Sequence, residues 1–386
     1  MQSPPADFAP PTSTGPAWLR REAIDQLVTR AAREIQPLST LTPIDVRRER
    51  NRLVDELTAR RRAMPRWTYA PRDHDELRRA LDAADRRLTA TVDGALDELY
   101  LARIRELSLE AALCAAAGTR HVGRLARERF APDAHTAEAA AALCAEWLGE
   151  AECRSDPATA RLTASDDPRP HSLLSRMRTA VGRLRLPFAV VPTPALAPIA
   201  ATGERAILIA TGRLLSDEDA ARTVCHEIEG HALPRARSLQ AKSVLFRAGT
   251  ARGVDDQEGR AILIEQRAGW LGHRRRHHLA ARHRAVQAML EGASFADVAV
   301  TLFDVHGLDA SEAIVVAERA FRGGDGLCAG LGRERIYLES FVRVHAHLAA
   351  APDDEHVLAS GQVAVGAIPP LRTFAPGRPE ATAPAE

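Results

Sequence analysis

Lysine is all but missing from this 386-residue sequence: 52 residues are basic, yet Lys242 is the only lysine. Together with the richness in alanine, that bias points to a GC-rich genome rather than to a function. A large net charge is missing too, since 51 acidic residues leave the chain at +1. Without a global field, charge gives no argument for nucleic acid or a membrane surface as partner. No apolar run approaches the length of a membrane span, and the N-terminus lacks the basic-then-apolar pattern of a signal peptide. A cytoplasmic protein is expected. The five cysteines, Cys114, Cys144, Cys153, Cys225 and Cys328, are odd in number and scattered without a C-x-x-C. That excludes a disulfide framework and a cysteine zinc ribbon.

With 45% hydrophobic residues, the chain can build one large core or two smaller ones. Residues 1–17, rich in proline, serine and alanine, read as a disordered tail. A helical N-terminal region is expected over 18–165, with amphipathic spacing from Ala23 to Ile35, then helices over Asp75–Leu88, 92–117 and 136–149. The texture changes after the polar break Ala164–Ser172. Pro187–Val191 and Arg205–Ala210 have the look of short strands, and the second of them, "RAILIA", could pair with an extended peptide. A catalytic region over 166–350 and a largely disordered extension over 351–386 complete the division.

The familiar zinc-protease spacing H-E-x-x-H is also absent. In its place stands "CHEIEGHALP", with His226 and His231 five positions apart and Glu227 beside the first. On a straight α-helix five steps rotate a side chain by about 140°, so the two rings would diverge. Two devices could bring them together. The helix could loosen at Gly230 before Pro234, or a π-type bulge could put positions i and i+5 on one face. Ser216 with Asp219 starts this helix, and the motif lies near its C-terminal end, after a strand. Cys225 adjoins His226, but neighbours on a helix point about 100° apart, and a buried cysteine commonly serves as a small apolar filler. Downstream, Glu258, Ile262 and Glu265 share one face of the next helix. A carboxylate there needs a partner, either a metal or one of the many arginines. The run His273–Arg284, "HRRRHHLAARHR", reads as a solvated face or an anion site; without interleaved aromatics it argues only weakly for nucleic acid.

Several segments occur in one order: "HEIEGH", "QEGRA" (Gln257–Ala261), "MLEGASFADV" (Met289–Val298), "AFRGGD" (Ala320–Asp325) and "RIYLES" (Arg335–Ser340), with "MPRWTYAP" (Met64–Pro71) upstream. In this the chain resembles the tyrosine carboxypeptidase family of zinc metallopeptidases, which includes microtubule-associated enzymes and bacterial proteins with a Q-E-G-L-A motif. The resemblance covers roughly residues 35–350. It implies an α+β, predominantly α-helical, zincin-like metallopeptidase with a small sheet beside the active-site helix. It further implies one zinc ion held by His226, His231 and Glu258, with Glu227 as catalytic acid/base. Two imidazoles and a carboxylate would leave the fourth tetrahedral position for water. Tyr337 is the candidate for polarising the scissile carbonyl, and Arg319 and Arg322 for holding a substrate carboxylate.

The sequence departs from the family pattern at Glu229, where glycine is usual, and at Arg260, where leucine is usual. Pro234 replaces an arginine, Arg333-Glu334 replaces lysine-aspartate, and Ser340 replaces glycine. The leading expectation is a zinc carboxypeptidase whose partner is a peptide or protein C-terminus. The alternatives are a non-catalytic zinc-dependent binding or regulatory protein on the same fold, and a nucleic-acid binder using the Arg/His run.

Overall fold

Alanine, leucine and arginine favour helix, and helices carry most of the fold. The computed structural model describes residues 17–150, 162–194, 196 and 198–377. The expected tail, up to residue 16, lies outside the described residues, as do Cys153 and 378–386.

The N-terminal half supplies α1 (Ala17–Glu34), α2 (Pro37–Thr40), α3 (Val46–Thr58), α4 (Asp75–Thr89), α5 (Ala95–Ala115), α6 (Val122–Arg129) and α7 (Ala134–Gly149). After it come β1 (Thr163–Ala164), α8 (Leu173–Arg183), β2 (Ala189–Thr193), β3 (Ala200–Thr202), β4 (Ala206–Ala210) and β5 (Leu214–Leu215). Then follow α9 (Asp217–Cys225), a π-helical segment (His226–Ala232), α10 (Leu233–Ser238), α11 (Leu245–Ala248) and α12 (Gly253–Arg267). The remainder is α13 (His273–Leu290), α14 (Phe295–Asp304), α15 (Ala310–Phe321), α16 (Ile336–Ala350), α17 (Glu355–Leu358) and α18 (Ile368–Leu371). The architecture is α+β and mainly helical, as expected.

One large core joins both halves of the chain. Val28 of α1, Leu81 of α4, Leu107 of α5, Ile262 of α12 and Leu338 of α16 are all buried in it. A second core lies under the small sheet, where Met177, Ile207 and Ile209 meet Ile228 and Ala232 of the π segment. The sheet order is β2-β4-β3, with β2 parallel and β3 antiparallel to β4. This overturns the reading of "RAILIA" as a peptide-pairing strand: β4 is central and its ladder groups are taken on both sides. Pairing order is non-local, and a strand's own residues do not reveal it. Among the described strands of this sheet, β2 and β3 are the edges, and β3 is the one beside the π segment.

A buried ionic network anchors the start of α12. Arg129 of α6 reaches Glu106 (3.1 Å), Glu110 (2.8 Å) and Asp255 (2.8 Å), and Asp256 pairs with Arg343 of α16. Residues 351–377, expected as a largely disordered extension, instead fold into short turns and helices. Val357, Leu358, Ile368 and Leu371 from this stretch are buried in the large core. Its prolines look like those of a tail, but Pro369 occupies the first turn of α18, where the missing N–H costs nothing. Among the described residues no helix is long and apolar enough to cross a membrane.

Candidate metal centre

The Ser216 hydroxyl accepts from the Asp219 amide and starts α9, which runs into the motif without a break. At His226 the helix widens, and His226–Ala232 is π-helical. A π turn brings i and i+5 to one face. The Nε2 atoms of His226 and His231 accordingly lie 3.2 Å apart. Of the two devices, the bulge is the one used: the helix does not end at Gly230 but continues into α10, with Pro234 in its first turn. Gly230 has a different task. A Cβ there would lie 2.5 Å from Ala261 Cβ, so only glycine lets the π segment press this closely on α12.

That contact brings in the third donor. Glu258 Oε2 is 3.5 Å from His226 Nε2 and 3.8 Å from His231 Nε2. Donors bonded to one tetrahedral zinc at about 2.0–2.1 Å are about 3.4 Å apart, so the three atoms need little movement to share an ion. His226, His231 and Glu258 form the one group of this kind among the described residues. All three side chains are only 13–15% exposed.

The outer nitrogens of both rings are held. His226 Nδ1 is 2.6 Å from Glu265 Oε1, and His231 Nδ1 is 3.1 Å from Gln257 Oε1. Glu265 is fully buried and also receives Arg275 through Nε (2.8 Å) and Nη2 (2.9 Å). Burial alone would lower the His226 pKa, but Glu258 and Glu265 outweigh it and push it up to about 9. Burial likewise opposes ionisation of the two glutamates. His226, His231 and Arg333 nevertheless hold Glu258 well below the usual carboxylate range, and Arg275 and His226 do the same for Glu265. Glu258 thus faces both imidazoles, while Glu265 stands behind His226 alone.

The sequence matches the family model described as microtubule-associated tyrosine carboxypeptidase over residues 57–376. This chain belongs to the microtubule-associated tyrosine carboxypeptidase family. A comparison with curated proteins gave no match. The family name carries carboxypeptidase-type activity with it, and the matched span covers every residue of the centre.

Against the family pattern, the departures find physical reasons. Arg260 does not pack as leucine would: it pairs with Glu355 (2.7 Å) and donates to the Glu229 carbonyl (3.0 Å), satisfying an acceptor of the π segment. Gly259 of the same motif lies against Ser340 of α16, where a Cβ would come 2.3 Å from the Ser340 carbonyl carbon. That close crossing sets Tyr337, one turn before Ser340, next to Glu258. Arg333, in the lysine position, links them: it is 3.3 Å from Glu258 Oε1 and donates to the Tyr337 hydroxyl oxygen at 3.3 Å.

Glu227 is buried, and its Oε2 accepts from the Thr202 hydroxyl at 2.7 Å, on the edge strand β3. Arg282 stacks on the Tyr337 ring (5.4 Å to the centroid), as does Arg333 (5.7 Å). Arg319 lies 3.6 Å from Glu334, which Arg282 also faces at 3.6 Å. Arg322 sits further back, 3.9 Å from Glu318, which Arg50 holds at 2.8 Å. Burial, aided by Glu258, pushes the Tyr337 phenol up, so it keeps its proton near neutral pH. Burial with Glu229 and Glu265 pushes the Cys225 thiol up to about 11, which removes it as a nucleophile.

Sequence reasoning missed Thr202, Gln257, Arg275 and Arg282 as parts of this centre, and gave Glu265 and Arg333 no role in it. A signal existed for Glu265, which shares the Glu258 face. Arg275 and Arg282 are seven apart in the Arg/His run, so one face of α13 turns inward.

Proposed function

We propose that the protein is a zinc-dependent peptidase with a zincin-like catalytic region that hydrolyses a peptide bond at or near a C-terminus. The observation that carries this reading is the widened helix: it brings His226 and His231 together opposite Glu258 of α12, and Glu227, which follows His226 in the chain, is the carboxylate assigned as acid/base. Two imidazole nitrogens and one carboxylate oxygen are the donor set of a catalytic zinc site. When bound, zinc supplies the Lewis acidity that makes water nucleophilic near neutral pH.

The chain's own residues then account for the proton transfers. Thr202 occupies Oε2 of Glu227 and leaves Oε1 to take a proton from water as its oxygen bonds to the scissile carbonyl carbon. As the C–N bond breaks, Glu227 returns that proton to the leaving amine. Tyr337, protonated and polarised by Arg333, donates to the carbonyl oxygen as it gains negative charge.

The carboxylate of the released residue is assigned to the space beside Tyr337 faced by Arg282 and Arg319, with Arg322 behind. Two buried arginine donors there, Arg282 Nε and Arg322 Nε, make no hydrogen bond, although Arg282 Nε stands 3.6 Å from Glu334. Buried donors normally find partners, and a bound carboxylate would supply acceptors to these two.

The test is zinc-loaded protein incubated with peptides carrying a free or an amidated C-terminus, with Glu227→Gln as control. Release of a C-terminal residue from the free acid alone, lost in the variant while zinc stays bound, supports the reading. A zinc-loaded protein that cleaves neither across a broad peptide set favours the alternative, a zinc-dependent binding or regulatory protein.

A further inference from the structure

We infer that Glu265 and Arg275 are positioning residues that set the metal affinity of the centre through His226; the inference rests on the zinc reading above. Glu265 stands seven residues after Glu258 on α12, two turns along the same face, so one helix supplies both the ligand and the carboxylate behind another ligand. Its side chain has no solvent exposure. Three groups face it: His226 Nδ1 at 2.6 Å, Arg275 in a two-pronged fork at 2.8 and 2.9 Å, and Arg222 at 3.9 Å, itself paired with Asp219.

The consequence for His226 is chemical. Glu265 Oε1, 2.6 Å away, accepts from Nδ1, which leaves Nε2 as the ring atom that faces the site. The charge behind the ring also strengthens Nε2 as a donor. Arg275, forked on the same carboxylate at 2.8 and 2.9 Å, fixes its position behind the ring. The ring is therefore oriented in advance. His231 has a weaker arrangement, with neutral Gln257 at 3.1 Å, so the two histidines are held unequally. The Arg/His run thereby acquires a part in the centre: Arg275, from the first turn of α13, is the outermost member of the chain Arg275–Glu265–His226.

The experiment is competition for zinc against a chromogenic chelator, with visible absorption of the cobalt(II)-loaded protein and melting of the metal-free protein measured alongside. The samples are wild type, Glu265→Gln, Glu265→Asp and the double variant Glu265→Gln/Arg275→Gln. The double variant removes both charges together, so that no buried guanidinium is left unpaired, and it is the one to read where Glu265→Gln alone fails to fold. Zinc affinity is expected to fall about 10–100-fold in Glu265→Gln and in the double variant. The cobalt spectrum should change with it, and Glu265→Asp should recover part of the loss. A purely structural role predicts lower melting temperatures with unchanged zinc affinity and cobalt spectrum, and that result overturns the inference. Wild type that takes up no zinc overturns the peptidase reading as well, so the two failures are distinct.

Discussion

Replacing Gly230 with alanine tests the geometry on which the centre depends. The new Cβ would lie 2.5 Å from Ala261 Cβ and 3.2 Å from Ala261 Cα. Apolar carbons rest at about 3.5–4.0 Å, so the π segment and α12 must part by about 1 Å. Overpacking of this kind costs about 1–3 kcal/mol, and the better helix propensity of alanine offsets about 1 kcal/mol of it. A net loss of up to about 2 kcal/mol is therefore expected in urea unfolding of the metal-free protein. The larger effect falls on the metal. Ala261 is one turn beyond Glu258, so parting the helices draws Glu258 from the two imidazoles, which already lie 3.5 and 3.8 Å from it. Changes behind a ligand cost about 10–100-fold in metal affinity, and displacing a ligand costs at least that much. Chelator competition should show this loss, and Gly230→Ala/Ala261→Gly, which removes the opposing methyl, should recover most of it. Gly230→Ala binding zinc as tightly as wild type would refute the reasoning.

Tyr337→Phe removes the hydroxyl while keeping the ring between Arg282 and Arg333; kcat should fall by about 10²–10³ with KM little changed, whereas equal loss of zinc would assign the tyrosine to the metal instead. Arg319→Met should raise KM for free-acid peptides at least tenfold, an effect on the order of one lost charged hydrogen bond; an unchanged KM would move the carboxylate elsewhere. Burial, with Arg335 and Arg284 nearby, pushes the His283 pKa from 6.5 down to about 4. Neutral in the fold, His283 therefore contributes stability above pH 6.5 that is lost as pH falls toward 4, up to about 3 kcal/mol. Urea unfolding of His283→Leu between pH 7 and 4.5 should be flatter than wild type by that amount, and parallel curves would rule the histidine out.

The parts of the centre that lie close in sequence were legible, and those assembled by tertiary packing were not. His226, Glu227 and His231 declare themselves by type and spacing, and the mismatch of five residues with an α-helix correctly required a bulge or a break. Gly230 packs against Ala261, thirty-one residues away, a contact that no local pattern describes. Glu258 stood out by its helix face as needing a metal or an arginine, and it and Tyr337 were given their roles through motif resemblance, while Arg333, which touches both, registered only as a substitution. The run His273–Arg284 reads as solvent-facing because charge covers most of its sides, yet Arg275 and Arg282 turn inward where buried glutamates receive them. Arg319 and Arg322 were chosen as arginines able to hold a carboxylate, and residue type does not separate the one near Glu334 from the one near Glu318. In the fold, α4, α7 and the two longer strands follow from periodicity. The periodicity reading passes over α3 and α8, and the docking of residues 351–377 depends on a partner surface that no local pattern describes.

The most direct test is zinc per chain, measured by elemental mass spectrometry on untagged protein expressed without added metal, for wild type, His231→Ala and Glu258→Ala. About one zinc in wild type, falling sharply in both variants while circular dichroism shows the fold intact, is the predicted result. Well-folded wild type carrying no zinc, or variants that keep it, would contradict the three-donor centre and the peptidase built on it.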